Sequence, residues 1–325
     1  MKNFLKIALT LAAIIACTAS FAARDSKRQL RGSGNIVSKV IELTSNDYSN
    51  LLAMTGVEVI MDESGGKMVK IDADDNVIDY VICEEVNDLL TITVRKPDCT
   101  SYSNLNVKVT LPKNENLTRI ECRSAASLYV KPTFASGDKL FIRVNSSARV
   151  MVNRIEREDV GIDASSSAKV QGSFKCSRLT AKATSSADIN ASVLAKKVSI
   201  WATSSGEVEL NGATTQITAE ATSSGRALCS RLSAQNGVAM ATSSGKITLD
   251  CYDFLNTKAT SSGDIISTNS AAKTAIAEVS SGGSVKLNCS GSLNAKATSG
   301  GDIHYTGGCS LANSQTSSGG SIKKF

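Results

Sequence analysis

Histidine occurs once in these 325 residues, tryptophan once and proline three times, and aromatic residues make up only 4%. A single histidine excludes a three-histidine metal site and any catalytic arrangement built on two imidazoles. Scarce aromatics would suit a disordered chain, but a hydrophobic content of 42% is too high for that class. The apolar residues are small, so any core must be thin and held mainly by backbone pairing. Long hydrophobic runs are missing too. Ile7–Ala16 is an apolar stretch of about ten residues, short of the ~20 that a membrane-spanning helix needs, and nothing resembles a transmembrane barrel. Charge is nearly balanced, with 36 Lys+Arg against 30 Asp+Glu and a formal +6. That surplus is too diffuse for nucleic-acid binding, which wants a concentrated basic stripe. By length the chain allows about two domains or one elongated repeat array.

The first 22 residues predict a signal peptide. Lys2 and Lys6 form its basic end, Ile7–Ala16 its apolar centre, and Ser20-Phe21-Ala22 a small-x-small cleavage site. A second outcome fits the same segment. Ile14-Ile15-Ala16-Cys17 resembles a lipobox, in which Cys17 is lipidated and becomes the new N-terminus. Either outcome exports the chain to the periplasm, the outer membrane or the exterior, and the second adds an outer-membrane lipid anchor. Removing residues 1–22 takes two lysines and no acid, lowering the formal charge from +6 to +4.

What the sequence has in abundance is a repeat. ATSSA at Ala183, ATSSG at Ala202, Ala221, Ala241 and Ala259, and ATSGG at Ala297 recur, with weaker copies at Asn145, Ser165, Val279 and Thr316. The last small residue of each copy falls at Ala148, Ala168, Ala187, Gly206, Gly225, Gly245, Gly263, Gly283, Gly301 and Gly320, at intervals of 18 to 20. Relative to that residue, positions four, six and eight before it and two after it are apolar, as in Leu179, Ala181, Ala183 and Ile189. Alternation at spacing two is the strand period. A helix would need apolar residues three and four apart, and a leucine-rich repeat would need its Leu and Asn framework. The fold class predicted is all-β: a right-handed parallel β-helix, or solenoid, of about ten ~19-residue coils over residues 121–325. A non-repetitive β-rich region over 30–120 precedes it. At each corner Gly is expected to supply backbone freedom, and the serine pair to hydrogen-bond backbone left unpaired by the bend. Recurrence without an adjacent base makes Ser-Ser-Gly a corner device rather than a set of nucleophiles.

The position after each reference residue should face solvent: Arg149, Lys169, Asp188, Glu207, Arg226, Lys246 and so on. So should the position five before, which carries Arg143, Asp163, Lys182, Trp201, Glu220 and Met240. Both ladders mix signs, which argues against a cleft focused on a polyionic substrate. Trp201 stands out. It is a candidate for stacking on a sugar or touching a protein, unless a neighbouring loop covers it. His304, outward beside Tyr305, completes the list of candidate binding residues, and as a lone histidine it reads best as a surface residue. No metal site and no cofactor is expected. Eight cysteines beyond Cys17 would suit a disulfide framework in an exported chain, but no CxxC occurs and the spacings are wide. They read mostly as free, small core hydrophobes.

In the N-terminal region 57–61, 68–71, 90–94 and 107–111 alternate as strands. Asp72, Asp74 and Asn76 open like a calcium loop, but Val77 replaces the required Gly and Cys83 the bidentate Glu. From Gly32 onward the chain resembles the putative auto-transporter adhesin, head GIN domain family, common in Bacteroidetes. The resemblance rests on Gly32-Ser33-Gly34-Asn35-Ile36, on the strand before Ser64-Gly65-Gly66 and on Lys70-Ile71-Asp72-Ala73-Asp74-Asp75-Asn76-Val77. Val86–Ile92, Val107–Pro112 and the Ser-Ser-Gly coils complete it. Early corners with Ala126, Ala148, Ala168 and Ala187 depart from the family's commoner Gly. The resemblance implies an exported β-helical envelope protein and supplies no catalytic residues.

These readings favour a non-enzymatic adhesion or recognition module for a glycan or a surface protein. A polysaccharide lyase or glycosidase is the alternative. Asp188 and Glu207, adjacent on one ladder and about 5 Å apart at strand spacing, would be its carboxylate pair. A spacer assembling through its coil ends is a third reading, because the last coil, Ser318–Phe325, ends without an evident cap.

Overall fold

The computed structural model describes residues 29–325. The predicted signal segment, with Cys17 and the site after Ala22, lies outside them. Apart from a 3-10 turn at Ile78–Tyr80, the described elements are all strands, and 21 of them join in one sheet. The eight long strands from Arg149–Ala164 to Ser284–Ala297 hold 14 to 16 residues each. Each pairs in parallel with the next, so that Ala164, Ala183, Ala202, Ala221, Ala241 and Ala259 stack in one column. The result is a parallel β-solenoid of about eleven turns with ~19-residue coils. Period-two alternation puts Leu179, Ala181, Ala183 and Ile189 inside, buried, and leaves Lys182 and Lys169 outside.

The corners depart from expectation in two ways. From the Ala148 corner to the Gly263 corner two serines take the left-handed conformation, and in the last three corners Ser281, Ser299 and Ser318 share it with Gly282, Gly300 and Gly319; the closing Ala or Gly of the motif does not take it. Ser204 and Ser205 have φ of 51° and 62°, and the pair recurs from Ser146-Ser147 to Ser261-Ser262. Gly206 N–H donates to Thr203 C=O at 2.9 Å, and positive φ at both central positions matches a type I′ turn. Gly206 itself is needed for room, since a Cβ there would sit 2.3 Å from the Ala183 carbonyl oxygen. Second, the corner hydroxyls of these serine pairs are exposed and make no hydrogen bond among the described residues. The backbone satisfies itself instead. Ser205 N–H donates to the Ser223 carbonyl of the next coil at 3.1 Å, and this repeats along the rod.

The N-terminal region stacks out of chain order. Asn50–Ala53 and Glu58–Met61 lie between an outer layer, Leu89–Val94 with Val107–Leu111, and an inner one, Arg119–Cys122 with Ser127–Phe134. Antiparallel strands close this end: Met68–Asp74 on Val107–Leu111, Ile36–Glu42 on Met68–Asp74, and Val81–Val86 on Leu89–Val94. Larger residues fill the interior here, including fully buried Tyr48, Leu51, Met61, Leu90 and Leu111.

The family-like residues form a clasp. Buried Asp74 accepts from the Gly34 N–H at 2.7 Å and from Asn106 through its N–H at 2.7 Å and its Nδ2 at 3.1 Å. Asp75 accepts from the Ser33 hydroxyl at 2.6 Å and from Asn35 Nδ2 at 2.8 Å. A Cβ on Gly32 would sit 2.3 Å from Asp74 Oδ2, so the first strand can approach only as glycine. The carboxylates that imitate a calcium loop thus serve as acceptors that fasten the chain's first segment.

Candidate binding face

Outward residues of neighbouring coils stand in register, so each face of the solenoid carries columns of side chains at the strand spacing, roughly 4.8 Å apart. Trp201 lies in one such column between Lys182 and Glu220, and the indole is 37% exposed. His304 lies between Lys286 and Lys323, with its ring edge against Phe325 at 6.0 Å between centroids. Its Nδ1 is buried without a partner among the described residues. Tyr305 pairs with Leu287 on the inward set and packs, partly buried, on the core. Five coils, about 24 Å at the strand spacing, separate the Trp201 column from these two residues. The structure therefore does not bring the three candidates into one site.

Sequence reasoning passed over the concave part of the same face. Phe141, on Lys139–Val144, is outward and half-buried. It stacks in register with Gly161, Thr180, Ser199 and Thr218 on the following coils. Its ring occupies the space over Gly161, where a Cβ would meet Phe141 Cδ2 at 2.7 Å. The Arg119 guanidinium lies 5.6 Å from the ring centroid. Two residues back along each strand runs a charged column of Lys139, Asp159, Arg178 and Lys197. Arg178 grips Asp159 through two bonds of 2.6 Å, holding its carboxyl below the usual carboxylate range. Of these, Lys139, Phe141, Asp159, Gly161, Arg178 and Thr180 line a groove of about 530 Å³. A signal was present in the sequence: an aromatic in an outward slot, followed one coil later by glycine in the same slot.

A second groove, about 600 Å³, lies against the strands that follow the corners. Ile60, Tyr129 and Met151 stack in it, rimmed by Glu58, Lys131 and Asn153. A bulge between Val130 and Thr133 shapes its edge, tied by Asn153 Nδ2 to the Lys131 carbonyl at 3.1 Å.

Asp188 and Glu207 are neighbours in register, as their spacing predicted. Arg226 on the next coil takes Glu207 at 2.9 Å, so this carboxylate is engaged in an ion pair rather than facing an open partner. All eight described cysteines are free. Burial pushes the Cys122, Cys229 and Cys251 thiols up to about 12, which leaves them protonated and unreactive at neutral pH.

Two solved structures from Bacteroidetes are similar over nearly their whole lengths. A putative adhesin from Parabacteroides merdae ATCC 43184 is 16% identical, with 92% of this chain and 99% of that one covered and a TM-score of 0.45. A putative lipid binding protein from Parabacteroides distasonis ATCC 8503 is 18% identical, with 91% and 99% covered and a TM-score of 0.42. No curated protein matches. The family model described as "Putative auto-transporter adhesin, head GIN domain" matches residues 47–225, 171–271 and 252–309, together most of the chain, and the chain belongs to that family.

Proposed function

We propose that this chain is an exported, non-enzymatic module of the cell envelope or surface that binds a partner through the outer faces of its solenoid. The observation that carries the reading is the groove at Phe141. There an aromatic ring seated over a glycine and fixed charges stand on a regular sheet scaffold, the kind of rigid support that recognition needs. Membership of a family described by adhesion supports it. Export follows from the N-terminal segment, with Cys17 the lipid anchor if the lipobox is read and Ala22 the cleavage point if it is not.

The test is an array of glycans and surface proteins probed with the full chain, run beside a polysaccharide-degradation assay. Binding without turnover is the expected result. Release of new reducing ends or unsaturated sugars would overturn the non-enzymatic reading. Incorporation of a labelled fatty acid that disappears in Cys17→Ala decides for the anchor.

A second reading has its own observation. Among the described residues, Ser310–Thr316 pairs on one side only and is exposed along its entire length, with Leu311 38% exposed. Open strand edges tend to recruit other strands, which favours a spacer that assembles through its coil ends. Sedimentation velocity across a concentration series tests it, and a strict monomer at high concentration would remove it.

A further inference from the structure

We infer that the face running from Phe141 to Trp201 binds a carboxylated polysaccharide, one built from uronate-type sugars. This rests on the binding-module reading and names its ligand class. Phe141 and Trp201 mark the two ends of the face, three coils or about 14 Å apart along the rod. Between them the outward slots hold Gly161, Thr180 and Ser199. The latter two present hydroxyls with no hydrogen-bond partner among the described residues. Two aromatic platforms separated by a strip of small hydroxyl-bearing residues suit a chain of pyranose rings, which offers C–H faces to stack and hydroxyls to pair. An apolar peptide would leave those side-chain hydroxyls without partners.

Charge selects among polysaccharides. Across these coils the two outward columns beside the strip carry Lys139, Arg143, Arg178, Lys182 and Lys197 against Asp159 and Asp163, a local excess of three cations. Both acids are already engaged, Asp159 by Arg178 at 2.6 Å and Asp163 by Arg143 at 3.5 Å. Among the described residues, no carboxylate lies within ion-pair range of Lys139, Lys182 or Lys197. All three are exposed. Three unpaired ammonium groups beside a hydroxyl-lined strip between two aromatics complement a polymer that repeats a carboxylate along a sugar chain. The mixed-sign ladders had argued against a polyanion because they sampled one column of this face. The Lys139–Lys197 column, nine residues before each corner, changes the local balance.

The test uses the full chain and oligogalacturonate of about eight sugar units, more than enough to span roughly 14 Å, with calorimetry as the readout. Binding is expected to the acid form and to weaken about tenfold or more on full methyl esterification, and again between about 0.05 and 0.5 M salt. Phe141→Ala, Trp201→Ala and the double variant Lys182→Gln/Lys197→Gln should each weaken it by about tenfold. Tyr129→Ala, in the other groove, should leave it unchanged, and circular dichroism checks that every variant is folded. Indifference to those three variants, equal binding of the methyl ester, or tighter binding of a dT oligonucleotide of matched charge would each overturn the inference. If the array instead returns a neutral glycan or a protein, the binding module stands and only this ligand class falls. If the array returns nothing, both fall.

Discussion

The N-terminal cap and the repeated coils are parts of one sheet, yet they are held together by different means. In the cap, large side chains such as Tyr48, Leu51 and Leu111 fill the interior, and individual hydrogen bonds tie segments far apart in sequence, such as Asp74 to Gly34. In the coils, Ala, Val and Ile fill the interior and the backbone ladder repeats from coil to coil, through the corners as well as the strands. The difference shows how tolerance to change is distributed. A repeat whose polar groups are satisfied by its neighbours' backbone can vary its outer side chains freely, and binding residues can accumulate there. A cap that depends on named side chains cannot.

The sharpest way to break this comparison is to remove one carboxylate from each region. Asp74→Ala removes the buried carboxylate that accepts three N–H bonds from the exposed residues Gly34 and Asn106 and should cost about 2–3 kcal/mol. Asp264→Ala removes a carboxylate 3.9 Å from Lys246 on the coil surface and should cost less than about 0.5 kcal/mol. Urea unfolding measures both. Trp201, the single tryptophan, reports on the coils alone, so Asp74→Ala should loosen the cap to proteolysis before Trp201 fluorescence changes. Equal losses at the two sites would refute the division.

The coils were legible in the sequence because their information is local and periodic. The corner spacing, the inward columns and the pairing of Asp188 beside Glu207 all follow from counting. The four strands expected in the cap also form, but their stacking was hidden. Asn50 pairs with both Leu89 and Arg119, and no local pattern announces that residues 50–61 slip between two later layers. The roles of the corner residues were hidden for a different reason. A recurring Ser-Ser-Gly does not say which residue takes the strained φ, and the habit of assigning it to glycine fails where close packing makes the stronger demand. At the face itself Trp201 was visible as a rare residue, whereas Phe141 matters through the glycine one coil away.

The corners offer two intermediate effects within the repeat. Gly225→Ala would push a Cβ to 2.1 Å from the Ala202 carbonyl oxygen and should cost about 2 kcal/mol in thermal or urea unfolding. Yet Ala148, Ala168 and Ala187 occupy the same corner position natively on three successive coils, so that stretch is spaced for a methyl group. A graft of Ala at Gly206, Gly225 and Gly245 together should therefore cost less than three times the single change. The opposite sign is expected one residue earlier. Ser224 has φ of 62°, and Gly282, Gly300 and Gly319 hold the equivalent place in the last coils. Ser224→Gly should relieve roughly 1–2 kcal/mol of left-handed strain. Part of that is offset by the added freedom of the unfolded chain, for a net gain of about 0.5–1 kcal/mol.

A pH-dependent effect lies where cap and coils meet. Lys113, 2.5 Å away, and the Ser136 hydroxyl at 2.6 Å hold the Glu115 carboxyl down to about 2. The Glu115 carbonyl also accepts from buried Arg157 at 2.7 Å, so this residue ties the segment before the first inner strand to two coils. An unfolded Glu titrates near 4.3. Between about 4.3 and 2 the unfolded chain binds the extra proton, so the contribution is complete above about 4.3 and is lost as pH falls through about 2. The group is partly exposed, which screens the contribution to about 1 kcal/mol or less. Other depressed carboxylates such as Asp74 titrate in the same direction, so the informative quantity is the difference between wild type and Glu115→Gln in urea midpoint at pH 5 and pH 2. That difference should favour wild type at pH 5 and vanish toward pH 2. A constant difference across the range would mean that packing of the side chain, and not its charge, joins the two regions.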